Sequence, residues 1–331
     1  MSDDAGELRG LLFIGDPHLA SRTPGFRSDD YPQVAVAKLR WCLEHARVER
    51  LLPVMLGDLF HWPRDNANWL LADLMDVMGE GLLTIAGNHD CHEDALHEDD
   101  SLTILARAGR ARLLDVEGPW RGTLGGCAVA LGGTAWGQAL PERVEFEGEP
   151  APRWTFWITH HDIGFPGYAA ADPSLRPREI PGVDALINGH IHEPMPDVVR
   201  GATTWINPGN ITRLRRDEAD LHRTPSVLAI LVGPEGWTRS VVEVPHAPSA
   251  EVFHAVNLDA DPGVWVNPGS NFVQGLGELL ARRTDSGAGL MEFLEQNLGD
   301  YAPHVADEIR ALAREVLPDD TLGQPEPPAG H

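Results

Sequence analysis

The first half of the chain alternates short apolar runs with longer stretches of helical spacing, and that rhythm leaves few folds open. Leu11 to Gly15, Leu51 to Leu56 and Leu82 to Ala86 read as strands. Tyr31 to Arg47, Asn66 to Met78 and Ser101 to Ala108 read as helices, the last with Ser101 as its cap. A β-α-β-α-β order implies parallel strands joined by crossover helices, an α/β fold. The second half is richer in strands, at Ala128 to Leu131, Thr155 to Thr159, Ala185 to Asn188, Thr203 to Ile206, Val227 to Val232 and Ser240 to Val244.

The segment PHAPSA, Pro245 to Ala250, reads as a linker. It sets a catalytic domain at residues 1–245 and a small C-terminal unit, α+β or helical, at 246–318. The proline-rich, acidic tail at 319–331 is expected to be disordered.

Composition narrows the function. No run of about 18 apolar residues occurs, so no membrane span is expected. The acidic opening MSDDAGELRG does not read as a signal peptide. Cys42, Cys91 and Cys127 are few and scattered, which suits a reducing cytoplasm. A net charge of -24 argues against holding nucleic acid by bulk electrostatics. It leaves room for a local basic groove, or for divalent cations that neutralise a phosphate. Lys38 is the single lysine; every other cationic side chain is arginine or histidine.

Five strands end in polar clusters: Gly15-Asp16-Pro17-His18, Gly57-Asp58-Leu59-Phe60-His61, Gly87-Asn88-His89-Asp90, Thr159-His160-His161-Asp162 and Gly189-His190-Ile191-His192. Alone, Asp-x-His and Gly-Asp read as turns, Gly-Asn-His-Asp is compatible with a plain loop, and His-x-His is suggestive. Together they matter, because the carboxyl ends of strands in an open α/β sheet line one crevice. The clusters offer the carboxylates of Asp16 and Asp58, the amide of Asn88 and the imidazoles of His18, His160, His190 and His192. Asp-x-His and His-x-His put alternate side chains on one side of an extended segment. Mixed nitrogen and oxygen donors suit manganese, iron or zinc rather than calcium. Seven ligands exceed what one ion takes. With one carboxylate bridging they serve two ions, the arrangement used on phosphate esters.

In this order the motifs Asp-x-His, Gly-Asp, Gly-Asn-His-Asp, His and Gly-His-x-His resemble those of the calcineurin-like metallophosphoesterase superfamily, over roughly residues 9–212. The resemblance implies a four-layer α/β/β/α sandwich with a dinuclear site at one edge. It implies one ion on Asp16, His18, Asp58 and His192, and a second on Asp58, Asn88, His160 and His190, with Asp58 shared. Manganese is the expected metal, with iron, zinc or magnesium as alternatives. His160 is chosen over His161 because the family ligand is the first of such a pair. His89 resembles the histidine that meets the scissile phosphate and assists the leaving group, with Asp90 expected to orient it.

The stretch GDLFHWPRDN is similar to that of the SbcD-type DNA repair nucleases, in which a further histidine, here His61, lies near the phosphate. DDSLTILARAGRARLLD, with its helix and following strand, and NPGNITRLRR fall where that branch has similar segments, although Asn210 stands where it usually has serine. The branch implies a DNA exo/endonuclease, with a small-molecule phosphodiesterase or phosphatase as the alternative. It implies DNA and an SbcC-like coiled-coil ATPase as partners; a homodimer is a further option, and no membrane is expected. Arg22, Arg27, Arg64, Arg213, Arg215 and Arg216 are the candidates for substrate contact, and Trp62, Trp69 and Trp136 could stack on bases.

Overall fold

The computed structural model describes residues 7–23, 27–148, 150–168, 175–214 and 218–253. All belong to the first of two compact units, Met1–Ala255; the second, Val256–His331, lies outside the described residues. Arg215, Arg216, the tail at 319–331 and the expected unit at 246–318, beyond Phe253, also lie outside them.

The first half of the chain forms β1 (Gly10–Ile14), α1 (Tyr31–Glu49), β2 (Leu51–Met55), α2 (Asn68–Met78), β3 (Leu82–Thr84), α3 (Ser101–Arg107) and β4 (Ala111–Leu113). There follow α4 (Leu114–Glu117), β5 (Trp120–Leu124), β6 (Cys127–Thr134), β7 (Trp154–Thr159) and β8 (Ala185–Asn188). The remainder is β9 (Met195–Arg200), β10 (Thr203–Asn207), α5 (Glu218–His222), β11 (Ser226–Gly233), β12 (Gly236–Glu243) and α6 (Ser249–Val252).

These strands make two six-stranded sheets, in the orders β12-β11-β1-β2-β3-β4 and β5-β6-β7-β8-β10-β9. In the first, β1 to β4 run parallel and β11 and β12 add antiparallel strands at one side. In the second, β6, β7, β8 and β10 are parallel, with antiparallel β5 and β9 at the edges. This is the expected α/β class, two mixed central sheets with helices.

The parallel strands are apolar because both faces are covered. All five residues of β1 are buried. Along β8, Ala185 and Ile187 join the core shared by the two sheets, while Leu186 joins a second cluster with Ile163, Phe165, Ile180 and Trp205. That alternation is the period-two geometry of a strand facing two cores. Helix α1 has a proline in its first turn, buries Tyr31, Ala35, Leu39, Cys42 and Ala46 at helical spacing, and stops at Arg50 in a left-handed turn.

Register brings the strand ends level. Ile14 pairs with Met55 between β1 and β2, and Thr159 with Asn188 between β7 and β8. The chain therefore leaves β1 and β2 side by side, and β7 and β8 side by side, just before the polar clusters.

Three local expectations change. The edge strands β5 and β9 were not anticipated. The cap position of α3 is Asp100, not Ser101, which is the first helical residue and whose hydroxyl receives Asn66 Nδ2 at 3.0 Å. The PHAPSA segment is anchored: Arg213 donates to Ala247 O and Ser249 Oγ, and α6 begins at Ser249.

Candidate metal centre

The polar clusters converge. Ligating atoms of Asp16, His18, Asp58 and His192 lie within 4.8 Å of one another, as do those of Asp58, His160 and His190. Asn88 joins the second group, its Oδ1 being 3.2 Å from His160 Nε2 and 2.9 Å from His190 Nδ1. Asp58 belongs to both. Its Oδ2 lies 3.6 Å from His18 Nε2 and 3.2 Å from His160 Nε2, while its Oδ1 accepts the His89 backbone N–H at 2.8 Å. Asp16, His18, Asp58 and Asn88 follow strands of the first sheet, and His160, His190 and His192 follow strands of the second. Each ligand group thus spans both sheets.

The backbone is bent to make this possible. Asp16, His18, Asp58 and His190 all have positive φ, between 31° and 69°. Non-glycine residues rarely adopt that conformation, and such strain collects where a side chain must be aimed. Gly57, at φ 93°, follows the same logic: a Cβ there would lie 2.6 Å from His160 Nδ1.

The imidazoles are oriented by their far nitrogens. His160 Nδ1 donates to Leu56 O at 2.7 Å, which turns Nε2 toward Asp58 and Asn88. Its neighbour His161 has both nitrogens engaged elsewhere, Nε2 with Gln138 O at 2.8 Å and Nδ1 with Thr159 Oγ1. Trp136 stacks on His190 with ring centroids 5.0 Å apart.

The donor set fits a pair of divalent cations. Asp16 is 1% exposed, yet neither of its oxygens has a hydrogen-bond partner. Burial, and beyond it Asp58, push its carboxyl up to about 8, against the pull of His160. Burial also opposes charge on Asp58, but His160, His18 and His89 outweigh it and hold that carboxyl well below the usual range. His160 is desolvated too, and Asp58 and Asp16 nevertheless raise it to about 10. Two nitrogens, His18 Nε2 and His192 Nε2, approach to 2.9 Å. Buried carboxylates and convergent nitrogen lone pairs are what divalent cations coordinate.

Beside this cage stand His61 and His89. Ligating atoms of His18, His61 and His89 also fall within 4.8 Å of one another. His89 Nδ1 donates to His61 O at 2.8 Å, so the ring is oriented by that carbonyl and not, as expected, by Asp90. The Asp90 carboxylate is fully buried and accepts the backbone N–H groups of Leu59, Phe60 and Gly87 at 3.3, 3.0 and 3.0 Å. It acts by tying two motif loops together.

A cavity of about 220 Å³ opens onto the cage, lined by Asp58, Asn88, His89, His190 and His192 together with Tyr168 and Glu193. The last two were missed by sequence reasoning; no spacing or motif marks them. Of the expected arginines, Arg22 lies over the Trp62 ring at 5.0 Å and Arg64 pairs with Asp100 at 2.8 Å. Arg27 and Arg213 are 4% and 3% exposed and line a different cavity. Their guanidinium groups bond inside the protein, Arg27 to Asp29 and Arg213 O, Arg213 to Ser249 and Ala247. Among the described residues no helix is long and apolar enough to cross a membrane.

Strand-end carboxylates and imidazoles gathered around one shared aspartate, on a two-sheet α/β frame, define a metal-dependent phosphoesterase. Residues 11–222 match the calcineurin-like phosphoesterase superfamily domain, and the chain belongs to that superfamily. No match is found among curated proteins. Among solved structures, a hypothetical protein from Thermus thermophilus aligns at 15% identity and TM-score 0.41, over 72% of this chain and 100% of that one. The sulfate thiohydrolase SoxB of the same organism aligns at 12% identity and TM-score 0.42, over 74% and 59%. Vacuolar protein sorting 29 from Cryptosporidium parvum aligns at 12% identity and TM-score 0.31, over 71% and 97%.

Proposed function

We propose that the protein is an SbcD-like DNA exo/endonuclease hydrolysing phosphodiesters with two divalent cations, manganese foremost. The observation that carries the reading is the position of Asp58 Oδ2, facing His18 on one side and His160 on the other. Asp16, His18, Asp58 and His192 would hold one ion, and Asp58, Asn88, His160 and His190 the other. Such a pair supplies Lewis acidity and a water acidic enough to ionise near neutral pH.

The protein's own groups do the rest. With Nδ1 committed to His61 O, His89 presents Nε2 as the atom that donates a proton to the leaving oxygen. His61 lies alongside, its ring 5.4 Å from that of His89 by centroids, and adds a donor for the phosphoryl oxygens. Asp90 fixes the loops that carry Asp58 and His89.

The sequence GDLFH favours the nuclease branch. In that reading the unit at 246–318 caps the site or docks an SbcC-like ATPase, Arg22 and Arg64 meet DNA, and the protein works in the cytoplasm, alone or as a homodimer.

The second reading, a phosphodiesterase or phosphatase for nucleotides and similar esters, is favoured by the small cavity and by the burial of Arg27 and Arg213. A cavity of about 220 Å³ accommodates a phosphate group. Incubating the manganese-loaded protein with linear and single-stranded DNA, bis-p-nitrophenyl phosphate and cyclic nucleotides separates the two. DNA degradation supports the nuclease; cleavage of the generic diester with DNA left intact rejects it.

A further inference from the structure

A second cavity, of about 560 Å³, lies within the first unit and shares no lining residue with the metal centre. Its walls are mostly apolar, with Val34, Ala37 and Trp41 of α1 and Val252 among them, and its charged lining is Arg27, Lys38 and Arg213 with the carboxylate Asp29.

Among the described residues the charge around it is out of balance. Arg27, Lys38, Arg213 and Arg223 are 4%, 6%, 3% and 9% exposed. Asp29 and Asp220 stand among them, Asp29 paired with Arg27 and Asp220 with Arg223. Among the described residues Arg213 has no carboxylate of its own as a hydrogen-bond partner, and its buried Nε has none. Lys38 Nζ donates to Ile211 O at 2.9 Å. An ammonium carries three donors, so two remain without an acceptor among the described residues. Burial, then Arg27, Arg213 and Arg223, push Lys38 down to about 7. Buried cations held together this way are costly unless a counter-charge joins them.

We propose that this cavity binds a small amphipathic anion, a carboxylate on a short alkyl or aryl body, with its charge on Lys38 and Arg213 and its body against Trp41 and Val252. The apolar walls remove the body from water, the unfilled donors of Lys38 take the carboxylate as charge-assisted hydrogen bonds, and the Arg213 guanidinium beside them adds its charge. The site stands apart from the hydrolytic chemistry and does not depend on its assignment. It is linked to the metal centre along two paths: Lys38 holds Ile211 O, Ile211 N donates to Gly15 O at 3.1 Å and Thr212 Oγ1 donates to Asp16 O at 3.3 Å, while Arg27 lies over the Tyr31 ring, whose hydroxyl donates to His18 O at 2.9 Å.

The probe is octanoate, titrated by calorimetry into the metal-loaded full chain, with octanol as its uncharged counterpart. Two variants address the two halves of the site. Lys38→Met removes the charge, and Ala37→Phe fills the cavity from an exposed position of α1, so it spares the core. Octanoate is expected to bind saturably at one site, and each variant, like the change to octanol, to weaken binding by about tenfold or more. Absence of saturable octanoate binding overturns the proposal. So does binding unchanged in either variant, or octanol matching octanoate. Should Lys38→Met fail to fold, Ala37→Phe and octanol still decide.

Discussion

Gly87 stands so close to Asp58 that a Cβ at position 87 would lie 2.1 Å from Asp58 Oδ1. The contact is what allows the β3 loop to pass beneath the shared carboxylate and hand it the N–H of His89. A Gly87→Ala substitution therefore has to displace Asp58, the residue common to both ligand groups. We expect manganese affinity to fall by roughly 10- to 100-fold, the cost of disturbing an oriented ligand. Equilibrium dialysis against the metal measures it; unaltered affinity would show that the carboxylate moves without consequence.

His89 should behave differently. Its backbone N–H binds Asp58, but its ring belongs to neither cage group. A His89→Gln variant is expected to retain both metals and lose turnover by about 10²- to 10⁴-fold, the usual scale for a positioned proton donor. Metal content and the rate on bis-p-nitrophenyl phosphate are read on the same sample. Loss of metal from this variant would assign His89 to the cage instead.

Asp16 carries an opposite expectation for stability. Its oxygens are buried without hydrogen-bond partners, and His160 and His192 come only to 3.9 and 3.8 Å of them, so in chelator-treated protein the carboxylate is poorly compensated. Asp16→Asn should leave the metal-free protein as stable as the parent or more so, while abolishing the stabilisation that metal confers. That stabilisation is about 2.7 kcal/mol at a metal concentration 100 times Kd. Thermal melts of both proteins with and without chelator test this. A variant that melts lower than the metal-free parent contradicts it.

Lys38 predicts a slope in pH. Its folded value of about 7 lies below the 10.5 of an ordinary lysine, so between these limits the unfolded chain binds more protons than the folded one. Stability contributed through this group therefore rises with pH across that window, by an amount on the order of a few kcal/mol at most. Urea melts of the parent and of Lys38→Met at several pH values between those limits give the difference due to this side chain alone. A difference independent of pH would refute the assignment.

The sheets and the cage were legible in the sequence for a physical reason. Buried parallel strands must be apolar, and ligands at their ends must follow at once, so Ile14 to Asp16 or Thr159 to His160 is a local signal. The edge strands β5 and β9 carry no such signal. WRGTL and MPDVVR are half exposed, and their pairing is set by neighbours rather than by their own pattern. The burial of Arg27 and Arg213 was not legible for a related reason. Charge type suggests a surface position, but Arg27 is buried by a bond to Arg213 O across 186 residues of chain, which no local pattern encodes. The role of Asp90 was hidden likewise, since its partners Leu59 and Phe60 belong to a different motif.

Because each ion would draw its ligands from both sheets, the cage reports how the two layers are aligned. A slip of one layer against the other would part Asp16 and Asp58 from His160, His190 and His192 while each sheet kept its own hydrogen bonds. Core substitutions at the sheet-to-sheet contact, such as at Phe156 or Ile187, should consequently weaken metal retention under conditions where the circular dichroism spectrum is still native. Cations, in turn, would act as a clasp that locks the layers in step.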